Sequence, residues 1–137
     1  MKVETYLSFE GSCEEALEFY KQVLGAEVTM LMRNQDSPEA PPPGMLPPGS
    51  ERKILHSSFR IGDSVVMASD GMCNGNSSFG GFSLALTVND QADAERKFAA
   101  LGQGGEIRMP LTKTFFSPAF GIVADRFGVS WMVVVEA

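Results

Sequence analysis

Apolar and polar positions along the chain follow two periods, and the order in which those periods occur repeats once. Val3 to Glu10 is rich in β-formers and alternates as a half-buried strand does. Ser12 followed by Glu15 has the capping-box pattern, in which hydroxyl and carboxylate each satisfy an amide of the first helical turn. Cys13, Ala16, Leu17, Tyr20, Val23 and Leu24 then recur at helical spacing up to Gly25, which predicts a helix of about three turns. Glu27 to Arg33 reads as a strand. Six of the eight prolines crowd between Pro38 and Pro48, where missing amide donors exclude a central strand. A loop over 36–50 is predicted, either a lid or a variable surface insertion. Lys53 to Ile61 and Ser64 to Ser69 read as strands joined by a Gly62-Asp63 turn.

Beyond a connector at 71–81 rich in Gly, Asn and Ser, the same order begins again. Phe82 to Val88 is a strand. Asp90 caps a helix whose Ala94, Phe98 and Leu101 share a face before Gly102 ends it. Glu106 to Leu111, Phe115 to Ala124 and Val129 to Val135 complete the set, the last two joined by a type I turn from Asp125 to Gly128. An offset of 77 to 78 residues sets Thr5 on Ser83, Ala16 on Ala94 and Tyr20 on Phe98, as in an internal duplication. The expected class is α+β: two tandem β-α-β-β-β modules, 1–70 and 82–137, whose curled mixed sheets enclose a cavity. A small ligand binds in such a cavity by default.

Composition narrows the partners. At 137 residues with 44% hydrophobic positions, the chain can bury a core without disulfides or a structural metal. Its 11 basic and 17 acidic residues give a net charge of −6, which argues against nucleic acid or an anionic membrane as a partner. The longest apolar run, Trp131 to Val135, is too short to span a bilayer, and Met1 to Tyr6 has no signal-peptide character, so the cytoplasm is the expected location. Cys13 and Cys73 are too far apart for a redox pair and read as reduced thiols, Cys13 facing a core.

His56 is the single histidine, which excludes zinc helices and any mechanism needing two histidines on one chain. No Gly-x-Ser-x-Gly elbow, Gly-x-Gly-x-x-Gly or Walker sequence is present. On the third strand, His56 can donate a hydrogen bond to a ligand, act as a general base, or simply bond to Ser57 or Ser58. Asp70 can orient it or start the connector turn. Arg33 and Arg60 are candidates for an anionic ligand or for solvated strand ends. Alternation puts Phe115 and Ser117 on one face and Phe116 on the other. Trp131 reads as core.

The phrase Glu18-Phe19-Tyr20-Lys21-Gln22-Val23-Leu24-Gly25-Ala26 resembles the first-helix signature of the vicinal oxygen chelate superfamily, the glyoxalase and bleomycin-resistance proteins. The stretches Tyr6 to Gly11, Met67 to Asp70 and Asp125 to Met132 resemble its PhnB-like branch. In metal-dependent members the resemblance implies four ligands, one each from the first and last strands of both halves. Here those positions fall on Thr5, Met67, Ser83 and Met132, none a normal ligand for a hard or borderline ion. No metal and no cofactor are therefore expected, and the four residues are read instead as lining a ligand cavity for an apolar or aromatic molecule. The resemblance leaves two functions open: a metal-free binding protein acting by sequestration or as a carrier, or an enzyme. The enzyme would be a lyase, isomerase or dioxygenase with a displaced metal site around His56, or the demethylubiquinone-type methyltransferase named by the family label. Against the last stands the lack of a Gly-rich loop after a strand. A two-fold homodimer is also implied.

Overall fold

A computed structural model describes residues 1–137. The chain divides into two compact units, Met1–Ser77 and Ser78–Ala137. The first contains β1 (Thr5–Ser8), α1 (Cys13–Leu24), β2 (Glu27–Arg33), a single 3-10 turn at Asn34–Asp36, β3 (Ile54–Ile61) and β4 (Ser64–Ser69). Its sheet has the order β1-β4-β3-β2, with β1 parallel to β4 and the remaining pairs antiparallel. Helix α1 makes the crossover that a parallel pair requires. Its buried stripe, Cys13, Ala16, Leu17, Tyr20 and Leu24, lies over Leu7, Phe59 and Ala68, with the Tyr20 and Phe59 rings stacked 5.9 Å apart. Gly25 ends the helix in the left-handed region (φ 66°), where its amide reaches the Lys21 carbonyl. The predicted capping box does not form: Ser12 makes no side-chain cap bond.

The second unit repeats the plan with β5 (Leu84–Val88), α2 (Gln91–Leu101), β6 (Glu106–Thr112), β7 (Phe120–Ala124) and β8 (Ser130–Val135) in the order β5-β8-β7-β6. Asp90 caps α2 as expected, its Oδ1 accepting from the Asp93 amide at 2.7 Å. Strands β1 and β5 begin two residues later than the alternation suggests, at Thr5 and Leu84, and β7 begins five later, because 115–119 is a turn. Thr114 Oγ1 accepts from the Ser117 amide, and buried Ser117 donates to the Val135 carbonyl. Pro118 then denies the segment a ladder amide. Phe115 and Phe116 thus do not alternate across a sheet: Phe115 is fully exposed, and Phe116 is half-exposed with its ring edge-on to Phe120.

The duplication is looser than a constant offset. Separation between matching positions narrows from 79 residues for Thr5 and Leu84, to 78 for Ala16 and Ala94, to 77 for Leu24 and Leu101. No helix is long and apolar enough to cross a membrane.

Candidate functional site

In the parallel β1–β4 pair, Tyr6 lies beside Met67, and Leu7 beside Ala68. Leu7 and Ala68 are fully buried beneath α1, so Tyr6 and Met67 point to the opposite face of the sheet. Register carries that row across the unit, with Met67 beside Ser58 and Ser58 beside Met30. Two residues back along β3, His56 stands on the same face next to Met32. There the Tyr6 hydroxyl lies 3.0 Å from His56 Nδ1, and the two rings stack with centroids 5.6 Å apart. With Tyr6 donating, Nδ1 is the acceptor and Nε2 keeps the proton, leaving an N–H free to bond a ligand.

Thr5 does not join this group. It pairs with Val66 and shares the α1 side of the sheet, whereas Met67 is on the other side. A strand has period two, so the one-residue difference turns the side chain through the sheet and gives the position to Tyr6. The signal was available in the buried Leu7 that follows. His56 likewise bonds to Tyr6 and not to its neighbours in sequence, since Ser57 is buried and donates to the Ala68 carbonyl at 2.7 Å.

Asp70 neither orients His56 nor merely starts a turn. It is 1% exposed; its Oδ1 accepts from the amides of Gly11 and Cys13, and its Oδ2 from that of Ile54, all at 2.8 Å. This carboxylate therefore caps α1 in place of Ser12 and ties the helix to β3 and β4. Cys13 sits beside it, fully buried, and burial together with the Asp70 charge pushes its thiol up to about 12. Such a thiol is no nucleophile at neutral pH.

Neither strand arginine is free for an anion. Arg33 grips both oxygens of Glu14 at 2.7 and 3.0 Å, holding that carboxyl below its ordinary range, and Arg60 pairs with Glu27 at 2.8 Å.

In the second unit, Ser83 precedes β5 and its hydroxyl lies 2.7 Å from that of buried Ser130. Ser130 and Met132 are two apart on β8 and share a face, with Ala85 and Ile122 flanking Met132. The structure thus brings Ser83 and Met132 to one face. Trp131 and Val133 point the other way, into the core under α2; the Trp131 indole donates to Asp125 at 2.9 Å.

The model of the 3-demethylubiquinone-9 3-methyltransferase family matches residues 1–134. The chain belongs to this family. Protein YjdN of Escherichia coli (strain K12) is 39% identical over 98% of this chain and 95% of its own. Among solved structures, a PhnB protein from Bacillus cereus is 30% identical with a TM-score of 0.81, covering 99% of this chain and 100% of its own. Protein PA1353 from Pseudomonas aeruginosa is 38% identical with a TM-score of 0.85, covering 99% and 98%. The fold is that of the vicinal oxygen chelate superfamily, shared at 14% identity and a TM-score of 0.65 with the fosfomycin resistance protein FosX from Mesorhizobium loti (98% and 90% covered).

Two groups are implied by these kinships, and the residues of this PhnB-like chain fit neither. For a divalent ion, the faces opposite the helices offer Tyr6, Met67 and a single imidazole, His56, in one unit and Ser83, Ala85 and Met132 in the other, and no three His, Cys, Asp or Glu cluster anywhere. For an adenosyl cofactor, the first strand-to-helix turn has spent its Gly11 and Cys13 amides on Asp70, and the second has spent its Asp93 amide on Asp90.

Proposed function

We propose that this PhnB-like protein is a metal-free small-molecule-binding protein, acting by sequestration or as a carrier, whose ligand is apolar or aromatic. The observation that carries the reading is the Tyr6–His56 pair, a stacked aromatic platform whose imidazole keeps Nε2 clear of the Tyr6 contact, set among Met67, Met30 and Met32. Thioethers are polarizable and adapt to irregular apolar shapes, so that face supplies contact area while His56 supplies one directional bond. In the second unit, Met132 adds a thioether on the face that carries the Ser83 and Ser130 hydroxyls.

Thermal shift with 1-naphthol and a panel of related aromatics tests this. A saturable rise in midpoint that His56→Ala and Tyr6→Ala each remove is the expected result. No stabiliser across the panel would sink the reading.

The same pair favours one second reading, an enzyme in which His56 acts as a general base: in the tautomer whose Nδ1 donates to the Tyr6 oxygen, Nε2 carries a free lone pair. The methyltransferase version of that reading requires S-adenosylmethionine to bind. Isothermal calorimetry with that compound is expected to show no binding heat, and a micromolar dissociation constant would reverse the preference.

A further inference from the structure

The Pro-rich connection between Asp36 and Ile54 is closed at its base by a ladder of hydrogen bonds. The amides of Asn34 and Gln35 donate to the carbonyls of Lys53 and Glu51 at 2.9 Å, and Asn34 Nδ2 donates to the Ser50 carbonyl at 2.8 Å. Arg33 adds a bond to the Arg52 carbonyl at 2.7 Å. Above this base the loop surrounds two adjoining cavities of about 250 and 490 Å³, which share Asn34, Ser37, Glu39, Ala40, Pro41 and Leu46 as walls. Fixed proline φ angles hold those walls in shape before anything binds, which removes part of the ordering cost of association.

A second feature of the sheet faces the same space. Arg33 pairs with Ile54 and Met32 with His56, so Leu55 is the extra residue of a β-bulge. Bulges re-aim side chains. Leu55 is left 41% exposed and lines the smaller cavity opposite Pro42 and Met45. Apolar groups dominate the lining. Its charged members are Glu39 and Glu51, and no Lys or Arg takes part.

We propose that the Pro-rich loop and the bulged Leu55 form a second small-molecule site, distinct from the Tyr6–His56 face, that takes an amphipathic organic cation. The apolar body lies against Leu55, Met45 and the prolines, and the positive head lies toward the two carboxylates. The second unit has no counterpart, since its β6–β7 connection is the short turn around Ser117.

Amide NMR on the labelled full chain, titrated with benzyltrimethylammonium, tests the proposal, with benzyl alcohol and benzoate as the neutral and anionic comparisons. Saturable shifts at Ala40, Met45, Leu46 and Leu55 are expected, with benzyl alcohol weaker by at least about threefold and benzoate not binding. Leu55→Ser, at an exposed position that leaves the core intact, is expected to weaken the cation by about tenfold. The joint change Glu39→Gln and Glu51→Gln is expected to remove the preference for the cation over benzyl alcohol at these four residues. Shifts confined to Tyr6, His56 and Met67, equal binding of benzoate, or no saturable shift would each overturn it.

Discussion

Removing the Asp70 carboxylate leaves the amides of Gly11, Cys13 and Ile54 without their acceptor. Unpaired buried amides cost more than the bond itself contributed, so Asp70→Ala is expected to lower unfolding free energy by about 3–5 kcal/mol in urea titration, and Asp70→Asn by less. Cys13 makes a prediction in pH. Its folded thiol stays protonated up to about 12, against an ordinary 9.0. Its contribution is therefore fully present below pH 9 and lost as pH rises toward 12, by up to about 4 kcal/mol. Unfolding midpoints of the native chain should fall more steeply across that window than those of Cys13→Ala. Ellman's reagent should titrate one thiol, Cys73, in the folded protein and two after denaturation. Much at this scale was legible in sequence: Cys13 and Trp131 in the core, Asp90 as a cap. What was not legible depended on long-range partners. Asp70 meets Gly11 across 59 residues and Tyr6 meets His56 across 50, and no local pattern encodes either meeting.

Among the elements, the two helices begin in different ways, and that difference is measurable. Helix α2 carries its own cap, so Asp90→Ala is expected to cost about 1 kcal/mol. Helix α1 borrows its cap from the end of β4, so Ser12→Ala should change stability by only a few tenths of a kcal/mol despite the capping-box sequence. Chemical denaturation of both variants checks the contrast. Strand and helix periods placed nearly every element, since each sheet has one face pressed under a helix and the alternation is strong. The segment from Phe115 escaped because its aromatic residues have high strand propensity, while Ser117 and Pro118 close a turn whose partner, Val135, lies 18 residues away. The site faltered on a similar point: an offset counted from the helices carries an error of one residue into the first strand, and one residue there is the whole difference between faces.

For the whole molecule, each unit covers only one face of its sheet with its own helix, and Tyr6, Met30 and Val65 remain more than a third exposed. We expect a homodimer in solution, read as twice the chain mass of 14.8 kDa by light scattering at micromolar concentration. Elemental analysis of tag-free protein prepared without chelator should give substoichiometric zinc, nickel, manganese and iron. One metal per chain would instead put an enzyme built around His56 ahead of the binding reading. The buried indole of Trp131 has a further consequence. It is the chain's single tryptophan and belongs to the second unit, while both tyrosines, Tyr6 and Tyr20, belong to the first. Each half of the duplication thus carries its own ultraviolet chromophore, so an unlabelled sample can report in one melt whether the halves come apart together or in turn.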